Sequence, residues 1–211
     1  MIEKEMKMKN GLIRILAILM LGALWMVYSG CASSKPTRFY SLNPSATTVQ
    51  ETKPSADDGC LSLGIGPIKI PNYLAQPKIV TWTGPNELTP AEFDRWAERL
   101  EDNLTRVLAK NLSNLLCTQS IVLFPWRGKI PMDYRIEVEV LRLDGSLGGD
   151  VTLEAWWMVL SGDGKKMVFN KRSTFTAAVA GKDYSSLVSA QSRTVGLLSN
   201  EIAQAIKTLP K

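Results

Sequence analysis

Cys31 sits where acylation is the chemistry its neighbours favour. Ser29 and Gly30 precede it. Two small residues there let a peptidase close on the backbone, while the thiol stays free to take a diacylglyceryl group. The other cysteines, Cys60 and Cys117, make an even pair, and an even pair in an oxidising compartment is a candidate disulfide. Cys60 precedes a predicted strand and Cys117 follows a predicted helix, so both stand at element ends. The loop they would close is about 58 residues and worth about 4 kcal/mol in the chain-entropy account. The chain has no histidine, which removes the commonest general base and the commonest metal ligand.

Other patterns are weaker. Gly64-Ile65-Gly66 lacks the third glycine and the following helix that a phosphate-binding loop needs. No cysteine or histidine cluster has metal spacing, and no serine lies in a nucleophile-elbow pattern. Glu137 and Glu139 fall two apart on a strand, where they read as the wet rim of one face. Asp94-Arg95-Trp96 resembles a chemical cluster but reads as a core Trp beside solvated helix-face charges. The chain is therefore expected to be non-enzymatic, with no cofactor and no metal. Lys165-Lys166 and Lys171-Arg172 are the only local basic concentration. They are too short, and too poor in interleaved aromatics, for nucleic-acid binding.

The first thirty residues supply the context for Cys31. Lys4, Lys7, Lys9 and Arg14 lead into an apolar run from Ile15 to Val27. That run is short for a membrane span and fits a signal segment. Tyr28-Ser29-Gly30-Cys31 is similar to the bacterial lipobox, with Tyr28 where Leu is usual. An uncleaved anchor and an ordinary secretory signal are the competing readings. Ala32 and Ser33 follow the cysteine. By resemblance to the enterobacterial sorting rule, the absence of Asp there points to the periplasmic face of the outer membrane. Lipid, palmitate included, anchors firmly, because each buried methylene contributes about 0.8 kcal/mol.

These readings divide the chain into a signal peptide (1–30), a lipidated tether (31–58) and a single domain (59–211). The whole chain carries a formal +5. Four Lys/Arg and two Glu precede Cys31, leaving 21 basic against 18 acidic residues, or +3. The tether is rich in Ser, Thr and Pro and is interrupted by an edge strand near 38–42, Arg38-Phe39-Tyr40-Ser41-Leu42.

In the domain, Leu61, Leu63 and Ile65 alternate with Ser62 and Gly64, predicting a strand. Pro67 marks it as an edge or a bulge. Lys78 to Thr83 predicts another strand, ended by Gly84-Pro85-Asn86. Thr89-Pro90-Ala91-Glu92 has the form of a capping box with proline at the first helical position. From it, Phe93, Trp96, Leu100, Leu104, Val107, Leu108, Leu112 and Leu115 predict one helix of about 26 residues, roughly 39 Å long. Strands are predicted at 120–126, 134–140, 151–159 and 166–177, with a hairpin turn at Ser161-Gly162-Asp163-Gly164. A last helix begins near Asp183. The expected class is α+β: a mostly antiparallel sheet with two long helices packed on one face.

Several of these segments resemble one family. They are Arg38 to Leu42, Leu63 to Leu74 with its Gly66-Pro67 and Pro71-Asn72-Tyr73-Leu74, Glu92 to Glu98, and Leu104 to Leu112. Together they resemble the ABC-type transport auxiliary lipoproteins, the PqiC-like group. The resemblance implies a periplasm-facing outer-membrane lipoprotein working with an MCE-domain protein and, through it, an ABC permease and an ATPase, to move lipids between membranes. ATP hydrolysis would belong to the ATPase partner. Self-association into a ring is a further expectation, and only Cys31 carries over as a site. The alternative is a stand-alone envelope-assembly or structural outer-membrane lipoprotein.

Overall fold

The computed structural model describes residues 17–20, 35–44, 60–128 and 130–210. It divides into two units, Met1–Pro36 and Thr37–Lys211. In the first, residues 17–20 are helical and exposed. Among the described residues, no helix is long and apolar enough to cross a membrane.

The second unit is α+β, as expected, with eight strands and two long helices among its described residues. The strands are β1 (Arg38–Tyr40), β2 (Leu61–Lys69), β3 (Lys78–Gly84), β4 (Glu87–Trp96), β5 (Thr118–Leu123), β6 (Tyr134–Gly145), β7 (Asp150–Ser161) and β8 (Met167–Ala178). The helices are α1 (Leu100–Leu115) and α2 (Tyr184–Thr208). The strands form two sheets, ordered β1-β4-β3 and β5-β2-β6-β7-β8. Pairing is mixed rather than purely antiparallel: β2 runs parallel to both β5 and β6, and β1 runs parallel to β4.

Period-two alternation explains the large sheet. Ile136, Val138 and Val140 on β6, and Val151, Leu153, Ala155, Trp157 and Val159 on β7, are buried together. Helix α1 packs on β2 and β5, and α2 packs on β6, β7 and β8. Both bury apolar stripes, with Leu104, Val107, Leu108 and Leu112 on α1 and Leu187, Val195, Leu198 and Ile202 on α2. One hydrophobic core results. Pro67 falls in a central strand, at a register shift between Ile65 and Ile68, so it marks a bulge rather than an edge. Gly66 at that bulge has φ 109°, a conformation that glycine supplies without strain.

The long first helix is corrected. Residues 87–96 form β4, hairpin-paired to β3 across Gly84–Glu87, and the helix begins only at Leu100. Thr89 is therefore no helix cap. Arg99 occupies the cap position without a side-chain capping hydrogen bond, and Glu101 and Asp102 supply the acidic first turn. Helix α2 does begin near Asp183, as expected, and Asp183 caps it: the Ser186 backbone N–H donates to its carboxylate at 2.9 Å.

Candidate functional site

Cys31, with most of the expected signal segment and most of the expected tether, lies outside the described residues. Behind it the described residues resume at 35, and the chain is soon tied down. Arg38, Phe39 and Tyr40 pair in register with Asp94, Arg95 and Trp96. Asp94 is 5 % exposed, and Oδ1 accepts from Arg38 Nε at 2.8 Å and from the Tyr40 hydroxyl at 2.7 Å. Next, the Leu42 N–H donates to Asn103 Oδ1 at 2.7 Å, and Asn103 Nδ2 donates to Ser41 Oγ at 3.0 Å. The Asn43 N–H donates to Ser192 Oγ at 3.1 Å. Leu42 fills the core beneath. Residues 38–43 thus form a strap across β4, α1 and α2. Burial and the Asp94 hydrogen bond push the Tyr40 hydroxyl up to about 12.

A second polar node joins the two sheets. Asp144, on β6, is fully buried. Its Oδ1 accepts from Trp82 Nε1 on β3 at 2.6 Å and from Arg142 Nε at 2.6 Å. Its Oδ2 accepts from the Tyr73 hydroxyl. The Arg142 guanidinium also lies 5.7 Å from the Trp82 ring centroid. Burial first, then the Asp144 hydrogen bond, raises the Tyr73 hydroxyl well above the ordinary tyrosine range.

Cys60 and Cys117 are brought together at the start of β2 and β5, bonded, with Cα atoms 4.8 Å apart, inside the usual disulfide range. The Leu61 N–H donates to the Cys117 carbonyl at 2.9 Å beside them. On β2, Gly64 lies under Trp126 and Met132. A Cβ there would stand 2.5 Å from Met132 Sδ and 3.0 Å from Trp126 Cζ2. The glycine is needed for close packing, not for a phosphate.

Other candidates are placed as structure rather than chemistry. Glu137 and Glu139 lie opposite Met158 and Trp156 on the sheet's outer face. Lys171 pairs with Glu201 at 2.5 Å, and Arg172 with Glu154. Asp94 and Trp96, expected on a helix, lie on strand β4, and Asp94 is buried rather than solvated. Among the described residues, no group of three or more His, Cys, Asp or Glu could hold a metal. Two open grooves flank the strap. One, about 690 Å³, runs between the strap, α1 and β5 and is lined in part by Leu42, Val107 and Ile121. The other, about 620 Å³, lies between the strap and α2, beside Ser192 and Arg193. Sequence reasoning missed Asn103 and Asp144 and took Asp94 for a solvated helix-face charge. Lone acids and amides carry no spacing signal, and only the sheet packing buries them.

Comparison with known proteins places this arrangement. The family model described as "ABC-type transport auxiliary lipoprotein component" matches residues 40–203. The intermembrane transport lipoprotein PqiC of Escherichia coli K12 is 27% identical over 192 residues, covering 90% of this chain and 96% of that protein. The Shigella flexneri protein of the same name matches equally. A crystal structure of an uncharacterized protein superposes with TM-score 0.66 at 19% identity, covering 82% of this chain and 99% of that one. A Xanthomonas campestris structure gives 0.63 at 16%, covering 81% and 94%. These two likenesses show that the fold is shared. With its matched region running from the strap into α2, the chain belongs to the ABC-type transport auxiliary lipoprotein family.

Proposed function

We propose that this protein is a non-enzymatic subunit of an MCE/ABC-type lipid transport system. It is acylated on Cys31 and docks the assembly to the periplasmic face of the outer membrane. The observation that carries the reading is the family match over residues 40–203, which takes in the strap from Tyr40 onward. The name of the E. coli relative supports it, as does a small-residue pair directly before Cys31. Residues 1–30 act as the signal peptide, and Cys60 and Cys117 form a lasting disulfide in the oxidising periplasm. The MCE-domain protein is the direct partner, and the permease and ATPase are reached through it. Described polar clusters support a docking role, since Asp94 and Asp144 are consumed by structural hydrogen bonds rather than aimed into a groove.

Crosslinking in cells followed by purification of the chain tests this. An MCE-domain protein is expected in the crosslinked product. Its consistent absence, with the chain itself recovered in good yield, contradicts the proposal.

A further inference from the structure

The strap decides how far the domain can stand from its anchor. From Cys31 to Arg38 there are seven Cα steps, a reach of at most about 25 Å however the chain runs. The stretch from Ser45 to Gly59 adds nothing to that reach, because it follows the strap rather than preceding it.

The domain is longer than this leash. Its two ends are defined by α2, whose 25 residues extend about 37 Å. At the start of α2, the Tyr184 ring lies 6.5 Å from the Tyr40 ring of the strap. The turn after β6 is at the same end, with the Val179 N–H donating to the Gly149 carbonyl at 2.8 Å and Gly148 against Lys182. Past the other end of α2, the Pro210 carbonyl accepts from the Tyr134 hydroxyl at the start of β6. Tyr134 pairs with Ser161, so the hairpin tip at Gly162–Lys165 belongs to that far end. A membrane contact by the far end, with the long axis upright, would put Arg38 roughly 37 Å from the lipid, beyond the leash.

The near end also carries suitable side chains. Phe39 is 65 % exposed and Leu147 36 %, apolar groups that can enter lipid; Met167 beside the far hairpin is 49 % exposed, so the leash rather than apolar exposure selects the end. Lys182 and Arg193 are exposed beside them, with stems and charges suited to lipid headgroups.

We infer that the strap orients the domain: the end built from β1, the Gly145–Asp150 turn and the start of α2 rests on the lipid surface through Phe39, and the Gly162–Lys165 end points away. This rests on the proposed acylation of Cys31, but not on any transport partner. The strap thereby turns a flexible attachment into a directional one. The far end, near the Cys60–Cys117 pair, is left facing the periplasm.

The test uses the full acylated chain in vesicles of phosphatidylethanolamine and phosphatidylglycerol, with acylation verified by intact mass. The photo-reactive residue p-benzoyl-phenylalanine is placed at Phe39 or at Lys165, and lipid adducts are measured after illumination. Adducts are expected at position 39 and not at 165. A flexible Gly/Ser linker of about 30 residues inserted between Pro36 and Thr37 lengthens the leash without touching the domain. It should produce adducts at 165, whereas the same linker between Ser55 and Ala56 should not. Equal adducts at both positions in the unmodified chain overturn the orientation while leaving the transport reading intact. So does an effect of the downstream linker equal to that of the upstream one. A chain recovered without acyl mass overturns both the orientation and the anchoring on which it rests.

Discussion

Replacing Asp144 with alanine is the most informative perturbation of the fold. The carboxylate is fully buried and serves three donors, Trp82 Nε1, Arg142 Nε and the Tyr73 hydroxyl. Hydrogen bonds to a charged group contribute about 1.5–3 kcal/mol each, and losing one partner of a buried ion pair costs about 3–5 kcal/mol. These figures do not add. The Arg142 side chain is 43 % exposed and can turn to water, which removes much of the pair's share. Tyr73 and Trp82 keep less recourse to solvent. The expected loss is about 3 kcal/mol for Asp144→Ala and about 1–2 kcal/mol for Asp144→Asn, which keeps the shape and two acceptor lone pairs. Urea unfolding of the non-acylated domain, followed by Trp fluorescence and fitted with a common slope, measures both. A change below about 1 kcal/mol for the alanine variant would refute the reasoning, because the node would then not hold the sheets together.

Three further outcomes are expected. Alkylation under non-reducing conditions should find no free thiol at Cys60 or Cys117, and the double serine variant should lose up to about 4 kcal/mol; two reactive thiols in native protein would reject the pairing. Gly64→Ala should cost about 1–2 kcal/mol, because its Cβ meets Met132 and Trp126, and an unchanged urea midpoint would show that Met132 simply moves aside. Tyr40, Tyr73 and Tyr134 are all raised, chiefly by burial. A raised group gives stability that is complete below its unfolded value near 10 and lost as pH climbs through the folded value, about 12 for Tyr40. Absorbance at 295 nm should thus show native tyrosines ionising later than those of the urea-unfolded chain, and coincident titrations would contradict the packing described.

What the sequence revealed and what it hid have physical causes. The alternation from Tyr134 to Val140 specifies a half-buried strand because each side chain's neighbour two positions on shares its face. Asp183 marks the start of α2 because its side chain meets the backbone three residues away. Both are local effects. Residues 87–96 misled for the same reason. Thr89-Pro90-Ala91-Glu92 mimics a helix start, and Phe93, Trp96 and Leu100 fall by chance on helical spacing, whereas the real start at Leu100 lacks a capping side chain. Pairing with β3 outweighs that local preference. Parallel pairing of β2 with β5 and β6 is set by which strands the core brings together, and short-range pattern does not encode it. Cys31 stands as a candidate on its neighbours Ser29 and Gly30 alone, since it lies outside the described residues. The strap was legible only as a strand, since Asp94 and Asn103 lie far along the chain from the residues they hold.

The central claim is that acylated Cys31 holds this auxiliary subunit, and with it an MCE-domain partner, at the outer membrane. Cells labelled with radioactive palmitate and separated by density gradient test it most directly, comparing wild type with Cys31→Ser. The account predicts label on the wild-type chain in the outer-membrane fraction, with the crosslinked MCE partner beside it. It predicts an unlabelled Cys31→Ser chain that leaves that fraction. Equal outer-membrane recovery of both chains, with no palmitate on either, would contradict it.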